Sequence, residues 1–346
     1  MKKKITLFVA VVFGLVFLAA LPRAHADEFY KGKTITFVVG FSAGGGFDTY
    51  TRLIARHFGK YIPGDPTVIV QNMTGAGSLV AANYIYDQAP RDGTVIGNWI
   101  GPLVLQQVLG NKAVKFDGRK FGWLGAPTPD SGVCALTKAS GINNMKEWFA
   151  SKRPIKVGGT APGSTTDDVP KIVHAAIGLP LKVIEGYKGT AKIRLAAESG
   201  ELDGGCWAWE SIKATWTKAL RSGEVHVVLQ TIEKPDPELK NVPLAIQYAK
   251  TEEGRALLDV ANGAYSLAAR PYSVPPGVPA EHLALLQKAF METLHDPQLL
   301  KEAKKARLTI DPVDAQTIAN TMSSLYEMKP ALKAELAKII MPKPGV

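Results

Sequence analysis

The sequence predicts an α/β protein of two lobes, each a mostly parallel sheet flanked by helices, closing on a hinged cleft. Three observations predict it. Short β-branched runs alternate with helix-like segments from residue 33 onward. At about 100–200 residues per domain, a chain of 346 residues is long enough for two. A Gly/Pro-rich passage, Gly122 to Gly132, falls where the chain would pass from one lobe to the other. With 46% hydrophobic and 21% charged residues, the chain buries a sizeable core, which excludes intrinsic disorder.

In chain order, residues 1–26 read as a signal peptide. Lys2 to Lys4 form a basic start, Ile5 to Leu21 an apolar run, and Ala24-His25-Ala26 a small-residue cleavage site. The run is interrupted by Thr6 and Gly14 and is shorter than the about 20 residues a bilayer span needs. Cleavage after Ala26 and a periplasmic location are therefore expected. Strands then read at Thr34 to Val39, Thr67 to Gln71 and Thr94 to Gly97, followed by helical segments over Asp48 to Lys60, Ser78 to Gln88 and Pro102 to Leu109. A second set of strands covers Val133 to Leu136, Ile155 to Val157, Lys182 to Ile184, the stretch around Cys206, and Val225 to Leu229. Crossovers are read at Gly122 to Gly132 and Gly263 to Arg270, after which Pro279 opens a helix carrying Leu283, Leu286, Phe290 and Leu294 on one face. The division expected is residues 1–26 as signal peptide, 27–130 plus 263–346 as domain 1, and 131–262 as domain 2.

The 41 Lys and Arg exceed the 31 Asp and Glu, a formal +10. Setting aside Lys2, Lys3, Lys4 and Arg23 leaves 37 cations against 31 anions, a scattered +6. The densest run, Lys301 to Arg307, contains Glu302 and no aromatic residue, so it reads as a solvated helix face. No nucleic-acid partner is expected, and the balance points to an anionic small ligand. Two cysteines, Cys134 and Cys206, are too few for a metal cage; neighbouring strands in an exported protein would pair them as a disulfide.

The most informative segment is GFSAGGGFDTY, Gly40 to Tyr50, a strand end running through glycines into a helix. Glycines let the backbone approach a ligand, and helix-start amides favour an anion. The segment Gly75-Ala76-Gly77-Ser78 repeats this logic, putting two helix N-termini on one sheet edge. The plainer reading is that these glycines permit tight turns. Gly40-Phe41-Ser42-Ala43-Gly44 also matches the nucleophile elbow of α/β-hydrolases, giving an exported serine hydrolase as the alternative function. Against it, only the strand at Thr34 to Val39 precedes the elbow, where a hydrolase has several that build the sheet, and no histidine stands in a triad context. Gly75 to Val80 falls short of a dinucleotide fingerprint because Val80 occupies the third glycine position.

In the second lobe Ser164 and Thr165 can open a helix after the strand at 155–157, and Lys188, Gly189 and Thr190 precede another. Asp203 and Trp207 flank or occupy a later strand. Asp203 reads as turn residue or ligand contact, Trp207 as packing or recognition surface. Trp99, Trp207 and Trp209 would favour an aromatic acid if any of them reaches the cleft.

FYKGKTITFVVGFSAGGGFDTYTRLIAR, VIVQNMTGAGSLVAANYIYDQAPRDGTVIG, YKGTAKIRLAAESGELDG and PPGVPAEHLALLQKAFMETLHDPQLL together resemble the solute receptors of tripartite tricarboxylate transporters, the Bug or TctC type, over nearly the whole chain after residue 26. Arg91-Asp92-Gly93-Thr94, Phe47 and the Trp-rich GGCWAW depart from the commoner pattern. The resemblance implies a Venus-flytrap periplasmic binding protein with a hinge of crossing strands. It would be a monomer and not an enzyme, with no cofactor or metal, handing a di- or tricarboxylate or an aromatic acid to membrane permease subunits. It carries ligand contacts onto Ser42, Ala43 and Gly44 with flanking Phe41, onto Ala76, Gly77 and Ser78 with Gly75, and onto Ser164, Thr165, Lys188, Gly189, Thr190 and Asp203; Trp207 is added as a cleft residue.

Overall fold

The computed structural model describes residues 29–341, so the expected signal peptide and its cleavage site lie outside the described residues. The chain first builds β1 (Thr34–Val39), α1 (Gly46–Phe58), β2 (Thr67–Asn72), α2 (Leu79–Asp87), β3 (Val95–Asn98), α3 (Leu103–Val108) and β4 (Gly122–Ala126). It then crosses to β5 (Gly132–Thr137), α4 (Met145–Phe149), β6 (Ile155–Gly158), α5 (Thr165–Ile177), β7 (Leu181–Ile184), α6 (Thr190–Glu198), β8 (Gly204–Ala208), α7 (Trp209–Thr215), α8 (Thr217–Ser222), β9 (Val225–Gln230) and α9 (Glu252–Ala264). It returns through β10 (Tyr272–Val274), α10 (Ala280–Leu294), α11 (Pro297–Ala306), β11 (Val313–Asp314) and α12 (Ala315–Ser324), and α13 (Pro330–Ile340) follows.

Two sheets result, ordered β11-β4-β10-β3-β1-β2 and β7-β6-β8-β5-β9. Both are mixed rather than mostly parallel. In the first, β1 pairs in parallel with β2 and β3, but β10 runs antiparallel to β3 and β4. In the second, β6 is parallel to β7 and β8, while β5 is antiparallel to β8 and β9. Of the three reversed strands, β5 and β10 immediately follow a crossing between lobes, and the two-residue β11 runs antiparallel to β4 at the sheet edge.

The crossing segments, residues 127–131 and 265–271, lie side by side, with the Asp130 amide donating to the Ser266 carbonyl at 3.2 Å. A third link follows from α13, which packs against α5 of the second lobe. Apolar packing stabilises each lobe at about 25 cal/mol per Å² buried. In the first, Phe37, Phe58, Tyr272 and Phe290 meet at ring-centroid distances of 4.8–5.8 Å. In the second, Trp207 stacks on Trp216 at 5.6 Å within an apolar cluster that includes Val133 and Ile193. Cys134 and Cys206 stand directly opposite each other on β5 and β8 and are bridged. Among the described residues, no helix is long and apolar enough to cross a membrane.

Candidate functional site

Both glycine turns of the first lobe face the helix starts of the second across the cleft, which holds two neighbouring cavities. Phe41 and Thr160 line both. The outer cavity, about 420 Å³, is bounded by Thr74 to Ser78 on one side and Gly186, Tyr187 and Lys188 on the other. Its turn is conformationally unusual: Gly75, Ala76, Gly77 and Ser78 all have positive φ, at 148°, 44°, 60° and 75°. Two of these four are not glycine, and left-handed backbone at such residues costs on the order of 1–3 kcal/mol each, a strain that clusters at ligand clamps and switch regions. The Ser78 hydroxyl accepts the Ile100 amide hydrogen at 3.0 Å and thereby fixes the turn to the end of β3.

The inner cavity, about 30 Å³, lies over the hinge. The first turn of α1 (Gly46, Phe47), the start of α5 (Thr165, Thr166), Trp207 on β8, and Asp130 and Arg270 of the crossing segments line it. Arg270 is 1% exposed. Its Nε and Nη2 donate to Asp130 Oδ1 at 3.1 and 2.9 Å, and Nη2 also donates to Ser211 Oγ at 3.0 Å. The guanidinium lies 4.8 and 4.7 Å from the Phe47 and Tyr50 ring centroids. Burial pushes the Asp130 carboxyl upward against the pull of Arg270; burial also raises Glu210, helped by Asp130. Burial works against the Arg270 charge as well, but Asp130 outweighs it and keeps the guanidinium protonated. Three buried donor-bearing atoms on this lining have no hydrogen-bond partner: Arg270 Nη1, Trp207 Nε1 and Thr165 Oγ1. Burying such groups unpaired costs about 1–3 kcal/mol each, so their coincidence at one cavity needs an explanation.

The residues predicted from sequence divide between the two cavities. Phe41 lines both; Gly75, Ala76, Gly77, Ser78 and Lys188 line the outer, and Ser164, Thr165, Thr190 and Trp207 the inner. The Ser42 amide donates to the Lys188 carbonyl at 2.9 Å across the lobes, and a Cβ built on Gly189 would come within 2.7 Å of Ser42 Oγ, so these two line the lobe contact itself. Ala43 and Gly44 are exposed and line neither cavity, and the Gly44 amide donates to Asp48 Oδ2 at 2.9 Å. Asp203 also lies outside both cavities, held by Arg153 through two hydrogen bonds of 2.7 and 2.8 Å and by the Lys156 amide. Trp99 is core, donating to Ser273 Oγ, and Trp209 donates to Glu238. Sequence reasoning missed Gly46, Asp130, Thr160, Ser211 and Arg270. The one available signal was a lone arginine before Pro271 in the apolar crossing segment.

Among the described residues, no histidine is placed to serve Ser42 as a base. Ser42 Oγ has no hydrogen-bond partner, and His57, His174, His226, His282 and His295 are bonded to Glu302 and to the carbonyls of Leu179, Ile142, Asp92 and Met291.

Solved structures share this fold. Periplasmic binding protein BugD superposes with a TM-score of 0.71 at 20% identity, covering 90% of this chain and 98% of that one. The fold is that of the Bug-type periplasmic binding proteins. MatC from Rhodopseudomonas palustris with bound malate gives 0.70 at 18% identity, over 88% and 99% of the two chains. An R. palustris protein with adipate gives 0.69 at 17%, over 89% and 97%. In sequence, a UPF0065 protein of Agrobacterium vitis is 25% identical over 337 residues, 96% of this chain and 90% of its own length. Another, from Cupriavidus necator, is 35% identical over 162 residues, 43% of this chain and 45% of its own. No family model matches the chain. The resemblance read from the glycine loops is thus borne out in the Bug-type fold.

Proposed function

We propose that this chain is a periplasmic solute receptor that binds a small carboxylic acid between its lobes and delivers it to the permease subunits of a tripartite tricarboxylate-type transporter. The observation that carries this reading is the cleft itself, where two glycine turns of one lobe and two helix starts of the other enclose adjoining cavities. The malate and adipate in structures of the same fold support the ligand class. On this reading residues 27–130 with 263–346 form the first domain and 131–262 the second, with α13 strapping one to the other. The protein acts as a monomer without catalysis, and export removes residues 1–26.

The test is a thermal-shift panel of acetate, succinate, adipate, malate, citrate and benzoate on the protein beginning at Asp27. An acid present at 100 times its dissociation constant adds about 2.7 kcal/mol. At least one acid is expected to raise the melting temperature. A panel that leaves it unmoved overturns the reading.

A further inference from the structure

A buried guanidinium supplies five N–H donors and no acceptor. In Arg270, Nε and Nη2 are engaged by Asp130 and Ser211, and Nη1 has no partner. The same cavity lining contributes the Trp207 indole N–H, also a donor only, and the Thr165 hydroxyl at the start of α5, both buried and unpartnered. The strand, helix and crossing segment that carry them come from different parts of the chain, so local turn chemistry does not explain the coincidence. What would satisfy all three is an oxygen-rich anion.

We propose that the ligand's carboxylate sits in this inner cavity, accepting hydrogen bonds from Arg270 Nη1, Trp207 Nε1 and Thr165 Oγ1, so that Arg270 anchors the ligand at the hinge. The proposal rests on the receptor reading and assigns that ligand's charged end to three side chains. A cavity of about 30 Å³ is the size of one or two waters and takes a headgroup alone. The ligand's body extends past Phe41 and Thr160 towards the outer cavity, which those two residues also line. Because Arg270 and Asp130 belong to the two crossing segments, the anchored carboxylate bears directly on the hinge, and opening the lobes strips it of its Thr165 and Trp207 donors.

The experiment measures affinity, by titration calorimetry, for the panel acid that binds wild type most tightly and for its primary amide, in wild type and in Trp207→Phe, Thr165→Val and Arg270→Lys. Trp207→Phe and Thr165→Val retain most of the packing and each remove one donor. Each is expected to weaken acid binding by roughly 10- to 100-fold, the worth of one hydrogen bond to a charged group, and to lower the preference for acid over amide. Arg270→Lys is expected to do the same more strongly. Should Arg270→Lys fail to fold, the other two decide. The Trp207 indole N–H resonance, assigned by its loss in Trp207→Phe, should move downfield when the acid is added. Folded Trp207→Phe and Thr165→Val proteins with wild-type affinity and unchanged acid preference overturn the anchor while leaving the receptor reading intact. Failure of every panel acid to bind wild type overturns the receptor reading, and the anchor with it.

Discussion

The two halves of the cleft are built from opposite materials. The outer cavity is walled largely by backbone, a turn of four consecutive residues in left-handed or related conformations whose one buried hydroxyl, that of Ser78, is engaged by the Ile100 amide. The inner cavity is walled by side chains converging from both lobes and the hinge, three of whose polar atoms are unpartnered. The first arrangement derives its shape from local chain conformation and is finished before any ligand arrives. The second is completed only when the lobes close on something that accepts hydrogen bonds. Shape therefore resides in the glycine turn and recognition in the hinge-side cavity.

The strongest way to break this contrast is to loosen the wall that carries Trp207. Cys206 precedes it on β8, and its bridge to Cys134 closes a separation of 72 residues. A loop of that size implies roughly 4 kcal/mol of stabilisation on the chain-entropy account. Replacing both cysteines by alanine should lower unfolding free energy by about that amount in denaturant titration. An unchanged midpoint would place the wall's rigidity in the Trp207 and Trp216 stack instead.

Next in size is Gly46→Val. A Cβ at this position would lie 1.9 Å from Ser211 Oγ, 2.6 Å from Ser211 Cβ and 3.1 Å from Arg270 Nη1. Ser211 sits on α7 of the other lobe, so the substitution holds the lobes apart over the inner cavity. Acid affinity should fall at least about 100-fold, close to 2.7 kcal/mol. The unliganded melting temperature should change little, because an open cleft relieves the clash. Calorimetry and small-angle scattering check both parts.

Ser78→Ala should do the reverse at the outer cavity. It leaves the buried Ile100 amide without its acceptor, which costs about 1–3 kcal/mol of stability. The sequence reading makes Ser78 a ligand donor whose loss weakens binding and spares folding. Denaturant unfolding beside ligand titration separates the two, and a loss confined to affinity would return Ser78 to the ligand.

These sites also show what was legible beforehand. Short β-branched runs located β1, β2, β3, β6, β7 and β9, and apolar stretches at Val133 to Leu136 and around Cys206 located β5 and β8, because a buried strand leaves a composition signature that needs no tertiary knowledge. β4, β10 and β11 escaped: β10 and β11 are only three and two residues long, β4 opens on Gly122 and runs into Pro127 within the glycine- and proline-rich crossing, and all three pair only after the chain has crossed back. Glycine turns were legible for the same local reason, since positive φ restricts residue choice. Arg270 was not. Its partner Asp130 lies 140 residues away, and the one local signal, a lone arginine in an apolar stretch before Pro271, does not by itself tell a buried guanidinium from a solvated one.

The smallest expected effect concerns Asp203, which the family resemblance offered as a ligand contact and which lies outside both cavities. Burial pushes its carboxyl upward, but the Arg153 guanidinium and the Lys156 amide outweigh that and hold it below the usual carboxylate range. A carboxyl lowered in this way stabilises the fold above its unfolded value of about 3.9, and that stabilisation is lost as pH falls through the folded value. Arg153 is half exposed, its side chain at 51%, so solvent screens the pair and limits its worth to about 1 kcal/mol or less. Asp203→Asn should accordingly lower the melting temperature slightly at pH 7, and the difference from wild type should shrink as the pH is taken below about 4. Affinity for the bound acid should stay within about twofold of wild type, since one hydrogen bond to a charged group would cost 10-fold or more. A larger loss of affinity at unchanged stability would put Asp203 in contact with the ligand and extend recognition from the hinge-side cavity to the start of β8 in the second sheet.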